Sequence, residues 1–436
     1  MIDSHDIKEY IRNVIVYLVT LEAKAVIRKY KPKIVMITGS VGKTSAKDAI
    51  YTAFSGTHPV RRSEKSFNSD IGVPLTILGV PNGWGNPVRW VRNLIEGLFL
   101  IFLNAPYPAW LVVEIGADRP GDITRSLSWL KPDVVVATRF PDVPVHVEFY
   151  ASPEEVVAEE LAPIAWLKEG GIAVLNADDP RASGASIPAG ASRLLYGSGA
   201  GADIRTMRYM VTSRNRMPTG IAFDVYLKDE KARVTLPGVV GKTHMQAVVA
   251  GIASAVAVGI PLDVAAARFT AHVPPPGRTR LIGGRAGSVI IDDTYNSSPV
   301  ACEEALRILA GIPRTGRRIA VLADMLELGP YSVSEHQKMG AIAAVSSDLL
   351  FTAGVRARGI AEGARLAGMS PDMVIECERG EDVIPKLLPL VEKSDVILIK
   401  GSQSTRMERV VKALMHEPLK AGLFLVRQDA EWLTRA

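Results

Sequence analysis

Glycine, lysine and threonine meet at one point of the chain, in Gly39-Ser-Val-Gly-Lys-Thr44, between the apolar run Ile34-Val-Met-Ile37 and a helix-compatible stretch from Ala46 to Phe54. A glycine turn that enters a helix aims backbone N–H groups and the positive end of the helix dipole at one spot, which suits a phosphate. Lys43 adds charge to that spot, and the Thr44 hydroxyl can ligate Mg2+. Residues Thr38, Gly39, Ser40, Val41, Gly42, Lys43, Thr44 and Ser45 are therefore read as a nucleotide-binding loop. The turn departs from the general form GxxxxGK followed by Ser or Thr, because Ile37 occupies the place of the first glycine.

Other polar residues fall where such a loop could use them. Glu114 lies in the strand-like run Trp110 to Ile115, at the carboxyl edge where parallel sheets collect ligands. A carboxylate there can hold a metal, stay solvated or cap a helix. His146 sits in a loop flanked by prolines, where histidine is commonly structural. Arg278 follows Val273-Pro-Pro-Pro-Gly277 directly, and an arginine beside a linker is common on a surface. Asp293 and Asn296, in Asp292-Asp-Thr-Tyr-Asn296, end a strand-like run in a way that packing alone does not explain. Lys400 closes Val396-Ile-Leu-Ile-Lys400 at a strand's carboxyl end, a place from which it could meet substrate. Asn68 could contact substrate too, although asparagine before Asp-Ile-Gly also suits a turn. His244 could face a base or be a helix-start residue without a ligand role.

These residues need a scaffold, and hydrophobic periodicity supplies one. Residues 11 to 30 read as a helix broken by Lys31-Pro32. Strands are expected at Ile34 to Ile37, Trp110 to Ile115, Val134 to Thr138 and Ile172 to Leu175, separated by helices, which argues for an α/β fold with a mostly parallel sheet. Between about 193 and 240 shorter, more polar pieces such as Ile221 to Leu227 read as an antiparallel excursion, and His244 to Val258 as a buried helix. Three consecutive prolines at Pro274 to Pro276 mark the expected domain boundary. Beyond it Val289 to Asp292, Arg318 to Leu322, Leu349 to Thr352 and Val396 to Lys400 alternate with helices, a Rossmann-like α/β domain. The expected division is an N-terminal helical segment over 1–30, a P-loop central ATPase domain over 31–272 and the C-terminal domain over 273–436.

The segment Ile37-Thr-Gly-Ser-Val-Gly-Lys-Thr-Ser45 resembles the ATP loop of the Mur ligases and of the related folylpolyglutamate synthetases. Asn68-Ser-Asp-Ile-Gly-Val-Pro-Leu75, Val113-Glu-Ile-Gly-Ala-Asp-Arg-Pro-Gly-Asp122, His146-Val-Glu148 and Asn176-Ala-Asp-Asp179 resemble, in order, the central domain of the D-alanyl-D-alanine-adding branch of the Mur ligases. Asp292-Asp-Thr-Tyr-Asn-Ser-Ser-Pro299, Asp324-Met-Leu-Glu-Leu-Gly329 and Lys400-Gly-Ser402 resemble its C-terminal domain. The resemblance implies an ADP-forming ligase that uses ATP and Mg2+ to activate a carboxylate as an acyl phosphate. It also implies an amide bond between D-alanyl-D-alanine and a peptidoglycan precursor peptide.

The same resemblance distributes roles. Thr44 and Glu114 would hold one Mg2+, His146 would help hold a second, Lys43 and Arg278 would contact phosphate, and Asp293 and Asn296 would close over the nucleotide. Asn68 and Lys400 are the candidate substrate contacts. Many Mur ligases place a carbamylated lysine about fourteen residues after the histidine; here the count reaches Glu160, expected to supply a carboxylate without carbamylation. Glu159 beside it leaves the register open, and a solvated helix face is the alternative. That branch also carries a domain for the uridine nucleotide of its precursor, whereas 38 residues precede Gly39, so the acyl substrate is expected to be bound differently or to be another peptide-like carboxylate.

Composition narrows the field. With 51 basic and 46 acidic residues the net charge of +5 is too balanced to indicate nucleic acid. Cys302 and Cys377 read as small buried hydrophobes in a reducing cytoplasm. Acids in Met1-Ile-Asp-Ser-His-Asp6 argue against a secretory signal, and the apolar run Leu94 to Leu103 is too short to span a bilayer. Lys24, Arg28, Lys29, Lys31 and Lys33 cluster after an apolar helix, which is either a solvated helix end or a peripheral membrane contact. The expected assembly is a monomer acting on small carboxylate and amine substrates. A folylpolyglutamate-type ligase and a non-catalytic nucleotide-binding protein are the alternatives.

Overall fold

A parallel strand covered on both faces must be apolar throughout, and Lys33–Thr38 (β1) is buried at five of its six positions. Our computed structural model describes residues 4–63, 67–144, 146–313 and 316–434. Residues 1–3, and with them part of the acidic start and of the expected 1–30 segment, lie outside the described residues. The first sheet continues through Val60–Arg62 (β2), Trp110–Glu114 (β3), Val134–Ala137 (β4), Ile172–Asn176 (β5), Ser192–Gly197 (β6), Ile204–Arg214 (β7), Met217–Leu227 (β8) and Glu230–Pro237 (β9). Its order is β2-β3-β1-β4-β5-β6-β7-β8-β9. The chain order reverses beside β1, the kind of switch point that opens a crevice at the strands' carboxyl ends.

The helices follow from the same alternation: Ser4–Tyr30 (α1), Lys43–Phe54 (α2), Gly72–Leu78 (α3), Pro87–Phe102 (α4), Asp122–Leu127 (α5), Pro153–Ala165 (α6), Pro180–Ser183 (α7) and Lys242–Ala257 (α8). Val35 and Ile37 of β1 face a core made with α2 and α8, whereas Ile34 and Met36 face α1, α3 and α5. The alternation along one strand thus covers both faces. A Cβ at Gly251 of α8 would lie 2.7 Å from the Ala49 carbonyl carbon, so glycine permits the close α2–α8 approach.

Two expectations need correction. Polar texture placed the antiparallel excursion from about residue 193, yet β6 pairs parallel with β5, and β7 begins parallel to β6. The short α7 lies in the crossover that a parallel neighbour requires. Antiparallel pairing starts only between β7, β8 and β9. Asn215 and Arg216, both at positive φ, make the tight reversal from β7 to β8. Helix α2 also starts earlier than its apolar pattern suggested, at Lys43, because Gly42 at φ 91° ends the turn there.

The second sheet holds Arg280–Gly283 (β10), Val289–Asp293 (β11), Arg318–Ala323 (β12), Leu349–Ala353 (β13), Val374–Cys377 (β14) and Val396–Lys400 (β15), in the order β10-β11-β15-β12-β13-β14. All but β10 are parallel. Residues 272–279, which include the proline run, carry neither helix nor strand. Both sheets aim strand ends at one cleft of ≈ 2030 Å³.

Candidate active site

The loop after β1 is built by two glycines. A Cβ at Gly39 would lie 2.2 Å from Thr138 Oγ1, and Gly42 supplies the left-handed residue that opens α2. No side chain caps α2, so its first-turn amides and dipole face the cleft, the arrangement a phosphate needs. Ser40 and Val41 depart from the expected cradle, because their N–H groups donate to the Arg139 carbonyl at 2.9 and 3.2 Å. The Lys43 ammonium donates to the Gly39 carbonyl and stands 3.3 Å from Glu160 Oε1.

The structure separates the two neighbouring glutamates on α6. Glu160 is buried beneath the loop, where its carboxylate accepts from Ser40 Oγ and its backbone carbonyl accepts from Thr38 Oγ1. Glu159 instead accepts from the Ile123 amide at 3.0 Å, at the start of α5. The solvated face therefore belongs to other positions of α6, and the residue at the loop is Glu160.

Glu114 lies across the loop from Glu160. It is 2 % exposed and accepts from Thr44 Oγ1 at 3.0 Å, while its Oε2 is buried without a hydrogen-bond donor. A hydroxyl beside an orphaned carboxylate oxygen is a hard-oxygen pair that fits Mg2+. Lys47, fully buried, stands 4.0 Å from that oxygen and 3.6 Å from Asp48 Oδ1, and burial pulls its pKa down. Sequence reasoning missed Lys47; its spacing of four from Lys43 on α2 was the available signal.

Arg278 joins this group from beyond the proline run. Its Nη2 donates to Thr44 Oγ1 at 3.3 Å, and its guanidinium lies 4.1 Å from the Tyr295 ring centroid. Asn296 lines the cleft beside Tyr295, and Asn68 lines it from the side of the first sheet. His146, in the left-handed region at φ 69°, places Nδ1 2.8 Å from Glu327 Oε2 and Nε2 3.5 Å from Asp118 Oδ1. Contact with His146 holds the Glu327 carboxyl below its usual range. His146 thereby spans the cleft between Asp118 and Glu327.

Two expected contacts fall behind the cleft wall. Lys400, 2 % exposed, donates to Asp293 Oδ2 at 2.7 Å and to the Asn296 carbonyl at 2.9 Å. Asp293 also accepts from the Thr279 amide at 3.1 Å. Lys400, expected to meet substrate, and Asp293, expected to contact the nucleotide, thus face each other, and together they hold the turn that presents Tyr295 and Asn296. Burial explains the difference, since an uncompensated charge at either place would be costly. His244 is likewise engaged within the protein. Its Nε2 meets the Arg278 carbonyl at 2.7 Å, and burial lowers its pKa to about 4. Arg427 was missed altogether; it donates to the carbonyls of Thr294 and Tyr295 from near the chain's end, with no sequence signal linking them.

Two family descriptions match this chain, a Mur ligase middle domain over residues 97–255 and a Mur ligase glutamate ligase domain over residues 277–403. The chain belongs to the Mur ligase family. Curated relatives agree along nearly the whole sequence. The UDP-N-acetylmuramoyl-tripeptide--D-alanyl-D-alanine ligase of Bacillus subtilis is 28% identical over 398 residues, covering 91% of this chain and 79% of the relative. The Escherichia coli protein of the same name is 27% identical, covering 90% and 79%. The structure of a MurF ligase from Thermotoga maritima in complex with ADP superimposes with a TM-score of 0.74 at 24% identity, covering 93% of this chain and 84% of that one. As a Mur ligase this chain is an ATP-dependent ligase with the α/β architecture expected from its sequence. The phosphate loop precedes the matched middle-domain segment, so the geometry around Lys43 adds to what the family match supplies.

Proposed function

We propose that this Mur ligase joins D-alanyl-D-alanine to a peptidoglycan precursor peptide in the cytoplasm, using ATP to activate the peptide's carboxylate. A carboxylate resists attack by an amine because oxide is a poor leaving group; phosphorylation converts it to an acyl phosphate from which the amine displaces phosphate. The observation that carries the reading is the Thr44–Glu114 pair, with its orphaned Oε2, beside the uncapped start of α2.

Thr44 Oγ1 and Glu114 would hold Mg2+, which when bound neutralises charge on the nucleotide phosphates. Lys43 turns from the Gly39 carbonyl toward the transferring phosphoryl group and offsets the charge that spreads over it. Arg278, pinned against Tyr295, approaches the same region from the other domain. Glu160 orients Ser40 and Lys43 and supplies negative charge without carbamylation. Asn68 positions the acyl substrate, and Asn296 lines the nucleotide side. Approach of the two domains about residues 273–278 excludes water that would hydrolyse the acyl phosphate.

The test is ADP release from ATP with a UDP-muramoyl-tripeptide and D-alanyl-D-alanine, followed by folate and glutamate. Turnover with the first pair alone is the expected result. Turnover only with folate would replace the substrate assignment, and absence of ATP binding would remove the catalytic reading.

A further inference from the structure

Helices α1 and α4 lie side by side on the flank of the first sheet, and both leave an apolar stripe uncovered. On α1 Tyr10, Val14, Tyr17 and Leu21 recur at helical spacing and are exposed, Tyr10 at 71 %. On α4 Val88, Val91, Ile95, Phe99 and Phe102 do the same, Val88 at 76 % and Phe102 at 78 %. Soluble chains rarely leave adjacent stripes of this kind without an occupant.

The two helices act as one plate. Lys29 Nζ donates to the carbonyls of Leu100, Ile101 and Leu103 at 3.0, 3.1 and 2.6 Å, tying their C-terminal ends together. Midway, a Cβ at Gly97 would lie 2.0 Å from Glu22 Oε2, so the helices touch there through a glycine. The described helices are not long and apolar enough to cross a membrane, which leaves an in-plane orientation.

Charge selects the occupant. The α1 stripe runs on into Lys24 and Arg28, with Lys31 just beyond the helix. From residue 10 onward the acids of the two helices are Glu22, which is buried, and Glu96, which is 3.5 Å from Arg89 and 2.8 Å from Arg92. Anionic headgroups complement that basic end of the plate. Tyr10, Tyr17 and Trp84 suit the headgroup level.

We propose that the α1–α4 face docks the protein on an anionic lipid bilayer, with the apolar stripes seated in the interface and Lys24, Arg28 and Lys31 against headgroups. Ile11 and Ile15 of α1 and Val91 and Leu94 of α4 also line the cleft, so a docked molecule opens its active site beside the headgroup layer. The inference stands apart from the ligase chemistry and is read by a different assay.

Flotation of the full chain with phosphatidylcholine vesicles, with and without phosphatidylglycerol, at low and high salt tests it. Binding is expected with phosphatidylglycerol and is expected to weaken with salt. The double variant Phe99→Glu and Phe102→Glu is expected to lose about tenfold or more in partitioning while keeping ADP release with water-soluble substrates, which also reports that it folds. Arg28→Glu is expected to cost at least roughly fivefold with phosphatidylglycerol, and little without it. No flotation of the wild type, or equal flotation with both vesicle types, would overturn the proposal. So would a dimer in sedimentation analysis that the Phe99 and Phe102 changes dissolve, since the face would then join two copies.

Discussion

Two lysine–carboxylate pairs flank the cleft and do different work. Lys43 and Glu160 stand 3.3 Å apart at the rim, with the lysine side chain 14% exposed, whereas Lys400 and Asp293 stand 2.7 Å apart with the lysine 2% exposed. The first ammonium has a looser ion pair beside its bond to the Gly39 carbonyl, and a short path to the cleft. The second is locked beneath the Tyr295 turn by its carboxylate and a backbone carbonyl. A lysine at the carboxyl end of a parallel strand is therefore not by position a ligand contact; the exposure of its own ammonium, 14% at Lys43 and 2% at Lys400, is what separates the two pairs.

Breaking the deeper pair should have the largest effect on stability. Lys400→Ala leaves Asp293 buried without its ion partner and is expected to cost about 3–5 kcal/mol in urea unfolding. A loss under about 1 kcal/mol would return Lys400 to the list of substrate contacts. At the rim, Lys43→Ala should lower kcat for ADP release by about 10²–10³-fold, equivalent to about 3–4 kcal/mol of transition-state stabilisation. Undiminished turnover would remove Lys43 from the mechanism. Glu160→Ala probes the same pair from its acidic side. We expect a fall of about 30-fold in kcat with a smaller change in ATP affinity, because the variant disturbs the placing of Ser40 and Lys43. Full activity would mean that no carboxylate is needed there.

The smallest effect concerns pH and the buried hinge. His244 is held to about 4 by burial, so between the unfolded value of about 6.5 and pH 4 the unfolded chain binds the extra proton. Stability from neutral His244 is present above that window and is lost as pH falls through it, by on the order of 1–2 kcal/mol at pH 5. His272, also lowered to about 4 by burial, adds in the same direction. Asp292, raised to about 6 by burial, opposes them, since the folded chain holds its proton as pH rises from about 4 to 6. His244→Gln should therefore flatten the acid side of the stability curve relative to wild type; parallel curves would show that His244 does not titrate on unfolding.

Parallel strands were the most legible part of the fold. Val396 to Lys400 coincides with β15, and the other expected parallel strands differ by a residue or so at their ends. Buried β-branched runs leave little alternative. The stretch from 193 to 240 was harder to place, because the change from parallel to antiparallel depends on crossover length and turn geometry more than on polarity.

The sequence by itself determined the phosphate loop, the α/β alternation, the proline break and the order of motifs that marks a Mur ligase, since each is written in local residue types and spacing. Tertiary structure decided which of two adjacent glutamates lies under the loop, that Lys400 faces Asp293, that His244 meets the Arg278 carbonyl, and that α1 and α4 share one exposed face. Those outcomes depend on which strand ends and helix faces come together across long stretches of chain. Burial and counter-ions are properties of that assembly, so no single segment carries them.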